Sequence, residues 1–309
     1  MGHPIKRSAK KIMPHIRNFT ELFLVPTLAA ILPWSLCFRL FHRLVKLKSL
    51  YKGETEATLA GVASITPVID IGAWREATRM VRLVDHADLY LSIFRSDAWL
   101  RRHVTVSGDW PKGSEPFVAI TFHWGAGMWA LRHMRANGRR VSVLARGLEK
   151  DTSSRSMLCY QYAKLRLFEL ARAGGSENVL TGKNSLYEIK RKLKAGRCIV
   201  GLMDIPVERP RNYLSAILLG KTAYFPRGLC YLAANSGVPV VVYSMCLDRQ
   251  SGRRNLIISP PLQFENEDEL LEKLASRLNE LIDIDPPAWH QWAGVQSFFQ
   301  KGDGLEHKR

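Results

Sequence analysis

Apolar positions fall at helical spacing along residues 57–100. Ile71, Trp74, Met80, Leu83, Val84, Leu91 and Phe94 recur with charged residues between them, the pattern of a helix with one buried face. The stretch 99–110 (WLRRHVTVSGDW) leaves that pattern as a helix end or strand, and Gly108 sets a turn. Two apolar runs follow, 116–122 (PFVAITF) and 140–146 (RVSVLAR), and both read as strands. Between them, WGAGMWALRHMRANG predicts a helix stopped at Asn137-Gly138. Strand, helix and strand in this order predict a parallel pair with a right-handed crossover.

The alternation continues. A helix is predicted over 151–172, a short strand over 178–180, and a helix over 185–195 with Gly196 as its stop. A strand over 198–204 precedes two loop-like stretches, IPVERPRNY and LLGKTAYFPRGL. A helix over 228–237, strands over 238–247 and 254–262, and an acid-started helix over 265–284 complete the pattern, and KGDGLEHKR reads as a frayed tail. The expected fold class is therefore α/β, a mostly parallel central sheet flanked by helices. No internal repeat is visible.

Composition narrows the class. Of 309 residues, 46% are hydrophobic and 24% charged, which gives enough apolar material for a sizeable core and excludes disorder over most of the chain. With 22 glycines and 5 cysteines, collagen-like and disulfide-scaffold classes are excluded. Cys37, Cys159, Cys198, Cys230 and Cys246 are widely spaced, without CxxC or Cys/His ligand spacing. They read as reduced thiols on the cytosolic side, with no metal implied.

Charge changes the picture more. The chain carries 45 Lys and Arg against 28 Asp and Glu, a net +17, and so expects an anionic partner. Residues 1–50 hold nine of those cations (Lys6, Arg7, Lys10, Lys11, Arg17, Arg39, Arg43, Lys46 and Lys48) and one acid, Glu21. Inside this basic block lie seventeen uncharged residues, LFLVPTLAAILPWSLCF, interrupted by Pro26 and Pro33. That is short for a bilayer span of about 20 residues, and it lacks a signal-peptide cleavage pattern. The expectation is a basic, apolar membrane-associating segment over 1–50 and an α/β domain over 51–309. The segment would lie on the cytoplasmic face of the inner membrane, peripheral or monotopic, on an anionic membrane surface. A single span and a buried core hairpin are the other arrangements. No nucleic-acid partner is expected, because the charge excess gathers beside an apolar stretch and no zinc-finger or RNP-type motif occurs.

In open α/β sheets, ligands bind beyond the C-terminal ends of the strands. There the first strand delivers His123, whose imidazole titrates near neutral pH and suits general-base work. Gly125 and Gly127 follow, allowing close backbone approach at a helix N-terminus. Other strand ends deliver Arg146 and Asp204, and the loops beyond carry Arg209, Arg211, Lys221 and Arg227. One histidine, one acid and several cations suit a substrate with phosphate or other anionic groups.

In order, these stretches resemble the lipid A biosynthesis (late) acyltransferase family of the lysophospholipid acyltransferase superfamily. The matching text is His123-Trp124-Gly125-Ala126-Gly127-Met128 for a His-x4-acid motif, VLARG with Arg146, Asp204-Ile205, LLGKTAYFPRGLCYLAANSGVPVV, PPAWHQW over 286–292, and ILPWS near the N-terminus. The resemblance implies an enzyme that moves a fatty acyl group from acyl-carrier protein or acyl-CoA to a hydroxyl or amine of a membrane lipid or glycolipid. It implies His123 as general base, Arg146 and Asp204 in the same cleft, and Lys221, Arg227, Arg209 and Arg211 on phosphates, with no cofactor. Met128 stands where the family has its acid, and methionine cannot orient or stabilise an imidazolium. Asp204 or another acid supplies that role, the backbone orients the histidine, or the chain is an inactive acyl-chain or lipid-binding protein on the same fold.

Overall fold

The computed structural model describes residues 14–68, 70–125, 127–148, 157–182, 184–206 and 212–300. Its centre is a seven-stranded sheet in the order β1-β9-β8-β2-β5-β3-β4. The strands are β1 (Val104–Ser107), β2 (Val118–Thr121), β3 (Val141–Ala145), β4 (Val179–Leu180), β5 (Cys198–Leu202), β8 (Val240–Leu247) and β9 (Arg254–Ile258). From β8 through β4 all neighbours run parallel, whereas β9 is antiparallel to β8 and β1 follows β9. The mostly parallel α/β reading thus describes a mixed sheet. The expected β2–β3 neighbours are parallel but not adjacent, because β5 lies between them. Four of the five β5 residues are buried, as expected of an apolar run covered on both faces at the sheet centre.

A second sheet is the hairpin of β6 (Tyr213–Leu218) and β7 (Lys221–Pro226), where the sequence read only loop and turn. Its two-residue turn, Leu219-Gly220, has positive φ at both positions, 53° and 74°. Such turns favour Asn-Gly or Asp-Gly, so leucine in the left-handed position hid the hairpin. Asn279 compensates by accepting the Leu219 N–H at 2.9 Å.

The helices are α1 (Val25–Ile31), α2 (Trp34–Leu44), α3 (Lys52–Ala63), α4 (Ile71–Phe94), α5 (Asp97–His103), α6 (Met128–Ala136), α7 (Met157–Gly174), α8 (Ser185–Lys194), α9 (Arg227–Ala234) and α10 (Glu267–Ile284). The helical stretch expected over 57–100 is broken twice. Asp70 caps α4 by accepting the Ala73 N–H at 2.8 Å, and Ser96 caps α5 by accepting that of Trp99 at 3.2 Å. Residues 151–156 of the helix expected over 151–172, and the tail 301–309, lie outside the described residues.

The N-terminal segment is helical from residue 14, with a π-helical turn over Thr20–Leu24 just before Pro26. The wider turn sits where proline's missing N–H and ring would disrupt an ordinary helix. Leu32, before Pro33, is extended (ψ 152°), so α1 and α2 meet at a bend. Ala29, Trp34, Cys37, Phe38 and Phe41 from this pair share one buried core with α4 and the sheet. Among the described residues, no helix is long and apolar enough to cross a membrane. Arg79 of α4 secures the chain after α2 by donating to the Val45 and Leu50 carbonyls at 3.0 and 3.1 Å.

Candidate functional site

The β2 run of apolar residues ends at Thr121, and the chain turns at Phe122–Gly125 before α6. His123 lies in that turn. The neighbouring strand β5 ends at Leu202, the Met203 N–H still bonds to Thr121 O at 3.0 Å, and Asp204 follows. Adjacency of the two strands therefore brings His123 and Asp204 together. His123 Nδ1 lies 3.0 Å from Asp204 Oδ1, and the His123 backbone N–H donates to both carboxylate oxygens at 2.8 and 2.9 Å. Trp289 Nε1–H donates to Asp204 Oδ2 at 2.8 Å. The carboxylate is fully buried, yet the His123 side chain keeps 37% exposure. With Nδ1 turned to Asp204, Nε2 is the ring nitrogen left for a substrate.

Burial alone would drive the proton off His123. The charge of Asp204 and its hydrogen bonds outweigh that effect, so the pKa of His123 lies above its ordinary 6.5. An imidazole tied to a buried carboxylate is oriented, and its cation is stabilised as it forms.

The remaining sequence candidates separate. Gly125 has φ +56°, and a Cβ there would stand 2.1 Å from the Met245 carbonyl oxygen. Gly127 has ordinary φ, and a Cβ on it would meet nothing within 4 Å. Only the first glycine is demanded by close approach. Gly125→Ala is expected to cost about 2 kcal/mol or more, from left-handed strain plus overpacking. Gly127→Ala should be nearly neutral, and denaturant unfolding of both variants checks the contrast. Met128 is 3% exposed and packs into the core at the start of α6. The carboxylate that meets the His123 ring is that of Asp204, just after β5.

Arg146 is exposed just beyond β3, two strands over from His123 at the same sheet edge, about 10 Å across the sheet. Lys221 and Arg227 have partners of their own. The hairpin carries Lys221 to its turn, with Nζ 5.6 Å from the Phe299 ring centroid. Arg227 pairs with Glu267 at the start of α10, its Nε donating at 2.8 Å. Arg209 and Arg211 lie outside the described residues.

Sequence reasoning missed three contributors. Trp289 holds Asp204, His290 touches the His123 turn, and Arg166 of α7 acts electrostatically on His123. Arg166 is fixed by a bidentate pair with Asp85 at 2.8 and 2.9 Å, which holds the Asp85 carboxyl far below its usual range. PPAWHQW was the only local signal among them. A groove of about 560 Å³ between the hairpin and α10, lined by Ser215, Thr222, Asn279 and Asp283, lies apart from His123. No protein-family model matches the chain, and no curated protein matches it.

Proposed function

We propose that the protein is an acyltransferase that moves a fatty acyl group from an acyl thioester to a hydroxyl of a membrane lipid, with His123 as general base. The observation that carries this reading is the 3.0 Å contact of His123 with a fully buried Asp204 at the C-terminal edge of β2 and β5. His123 Nε2 takes the acceptor's hydroxyl proton as its oxygen attacks the thioester carbonyl. The C–S bond of the tetrahedral intermediate then breaks, and the imidazolium returns the proton to the thiolate. Asp204 stays ionised and holds the imidazolium. The ordered sequence resemblance supports acyl-carrier protein or acyl-CoA as donor. The lipid side of the proposal draws on the end of α1, the outside of α2 and the following turn. There Ile31, Leu36 and Leu47 are exposed among exposed Arg39, Arg43, Lys46 and Lys48, a mixture suited to an anionic headgroup layer.

The test follows thiol release from both donors with a total membrane-lipid extract as acceptor. Release that depends on the extract supports the reading, and no release from either donor contradicts it. Binding to zwitterionic vesicles as strong as to anionic ones would remove the electrostatic part. The pH profile has a definite sign. A base must be neutral, so kcat/KM is expected to rise with pH and level off above the pKa of His123. Because that pKa is raised, the inflection is expected above about 6.5. An inflection below that value would show that another group is the base.

A further inference from the structure

We propose that His290 is a positioning residue, and that Arg82 locks it as a neutral strut under the turn that carries His123. The inference rests on His123 being the base.

The turn after β2 is held by a strap from the C-terminal region. Trp124 and Trp289 form an isolated antiparallel bridge, and Gly125 N–H donates to the Ala288 carbonyl at 3.3 Å. Residue 290 then grips the turn twice. Its backbone N–H donates to His123 O at 2.9 Å, and its ring Nε2 lies 3.2 Å from Gly125 O. On the ring's other side, Arg82 Nη1 is 2.8 Å from Nδ1, while Arg82 Nη2 donates to His290 O at 3.0 Å. Glu54 of α3 anchors Arg82 with a 3.3 Å contact to Nε.

These contacts fix the tautomer. A guanidinium only donates, so Nδ1 accepts and carries no proton. Nε2 therefore carries the hydrogen and donates it to Gly125 O. Burial and the adjacent Arg82 hold the ring neutral, its pKa pushed down to about 3. The strut thus keeps its shape at any pH where His123 itself titrates. The neighbouring Trp289 holds Asp204, so two consecutive residues grip both members of the pair. The charged groups facing His123 are Asp204 after β5 and Arg166 on α7, and those facing His290 include Arg82 and Asp85 on α4.

The test uses the full chain with His290→Leu and His290→Gln. Glutamine can donate to Gly125 O and accept from Arg82, whereas leucine does neither. Two readouts are taken: the NMR titration of the His123 ring, assigned by difference with His123→Ala, and kcat and KM for acyl transfer. His290→Leu is expected to lower kcat by about 10- to 100-fold with KM near wild type, and to displace the His123 titration. His290→Gln is expected to restore both. A folded His290→Leu in which His123 titrates as in wild type overturns the proposal, as does failure of glutamine to rescue. If His290→Leu does not fold, Arg82→Gln replaces it. The His290 ring is then expected to titrate at higher pH and the His123 titration to move, and unchanged titrations of both overturn the strut. A wild type without transferase activity contradicts the catalytic reading, while the NMR arm still decides the strut.

Discussion

Asp204→Asn is expected to lower turnover by about 10²- to 10⁴-fold, the range over which general-base catalysis operates. The carboxylate accepts from three N–H groups: the His123 backbone, the His123 ring and the Trp289 indole. Asparagine keeps the volume but offers one acceptor oxygen and an NH2 group. That group faces another donor whichever way the amide is turned, either Trp289 Nε1–H or His123 N–H. It also brings no charge to hold the imidazolium. The inflection of the pH profile should therefore move down from its raised position. Asp204→Ala is expected to add a loss of stability of about 1–3 kcal/mol for each buried donor left unsatisfied. A kcat in Asp204→Asn within a few-fold of wild type, with thermal unfolding unchanged, would remove Asp204 from the mechanism.

The largest effect on stability is expected at Arg254, outside the site. Arg254 and Asp88 form an ion pair with side-chain exposures of 0% and 2%. The guanidinium lies between the Trp129 and Trp34 rings, at 4.0 and 4.6 Å from their centroids, and Nη1 donates to Gly252 O at 3.0 Å. It thus ties β9 to α2, α4 and α6. Even with Arg254 beside it, burial pushes the Asp88 pKa up to about 6. Arg254→Ala leaves that carboxylate alone in the core, and a cost of about 3–5 kcal/mol is expected. An acid whose folded pKa exceeds its unfolded value favours the fold below the unfolded pKa and loses that advantage as pH rises through the folded pKa. The deficit of Arg254→Ala should therefore be smaller at acidic than at neutral pH. The double change Arg254→Met/Asp88→Leu should recover much of it. Denaturant unfolding at two pH values measures all three, and a loss below about 1 kcal/mol would mean that the pair contributes little.

Much of the fold was legible because strands β2, β3, β5 and β8 are largely apolar runs and the helices stop at Gly138 and Gly196, both in the left-handed region. His123 and Asp204 were legible as strand-end residues for the same reason. Their contact was one of several readings left open, because it depends on β5 inserting beside β2, and lateral strand order is a non-local property that no local pattern encodes. Lys221 and Arg227 were read from a loop, and the hairpin that positions them was not expected. Its Leu219-Gly220 turn lacks the usual sequence signal, and the hairpin takes Lys221 to its tip and Arg227 to Glu267. His290 and Arg82 lay beyond sequence reading because they meet 208 residues apart, through a ring nitrogen and a backbone carbonyl. Met128 misled in the opposite direction. That position is buried, and the carboxylate beside the His123 ring is that of Asp204, just after β5.

The most direct test of His123 as the base is transfer of labelled acyl groups from acyl-carrier protein or acyl-CoA into a total membrane-lipid extract, with wild type beside His123→Ala at matched folded concentration. The account predicts label in a lipid with wild type and a loss of about 10²-fold or more in the variant. Equal labelling by both proteins would contradict it.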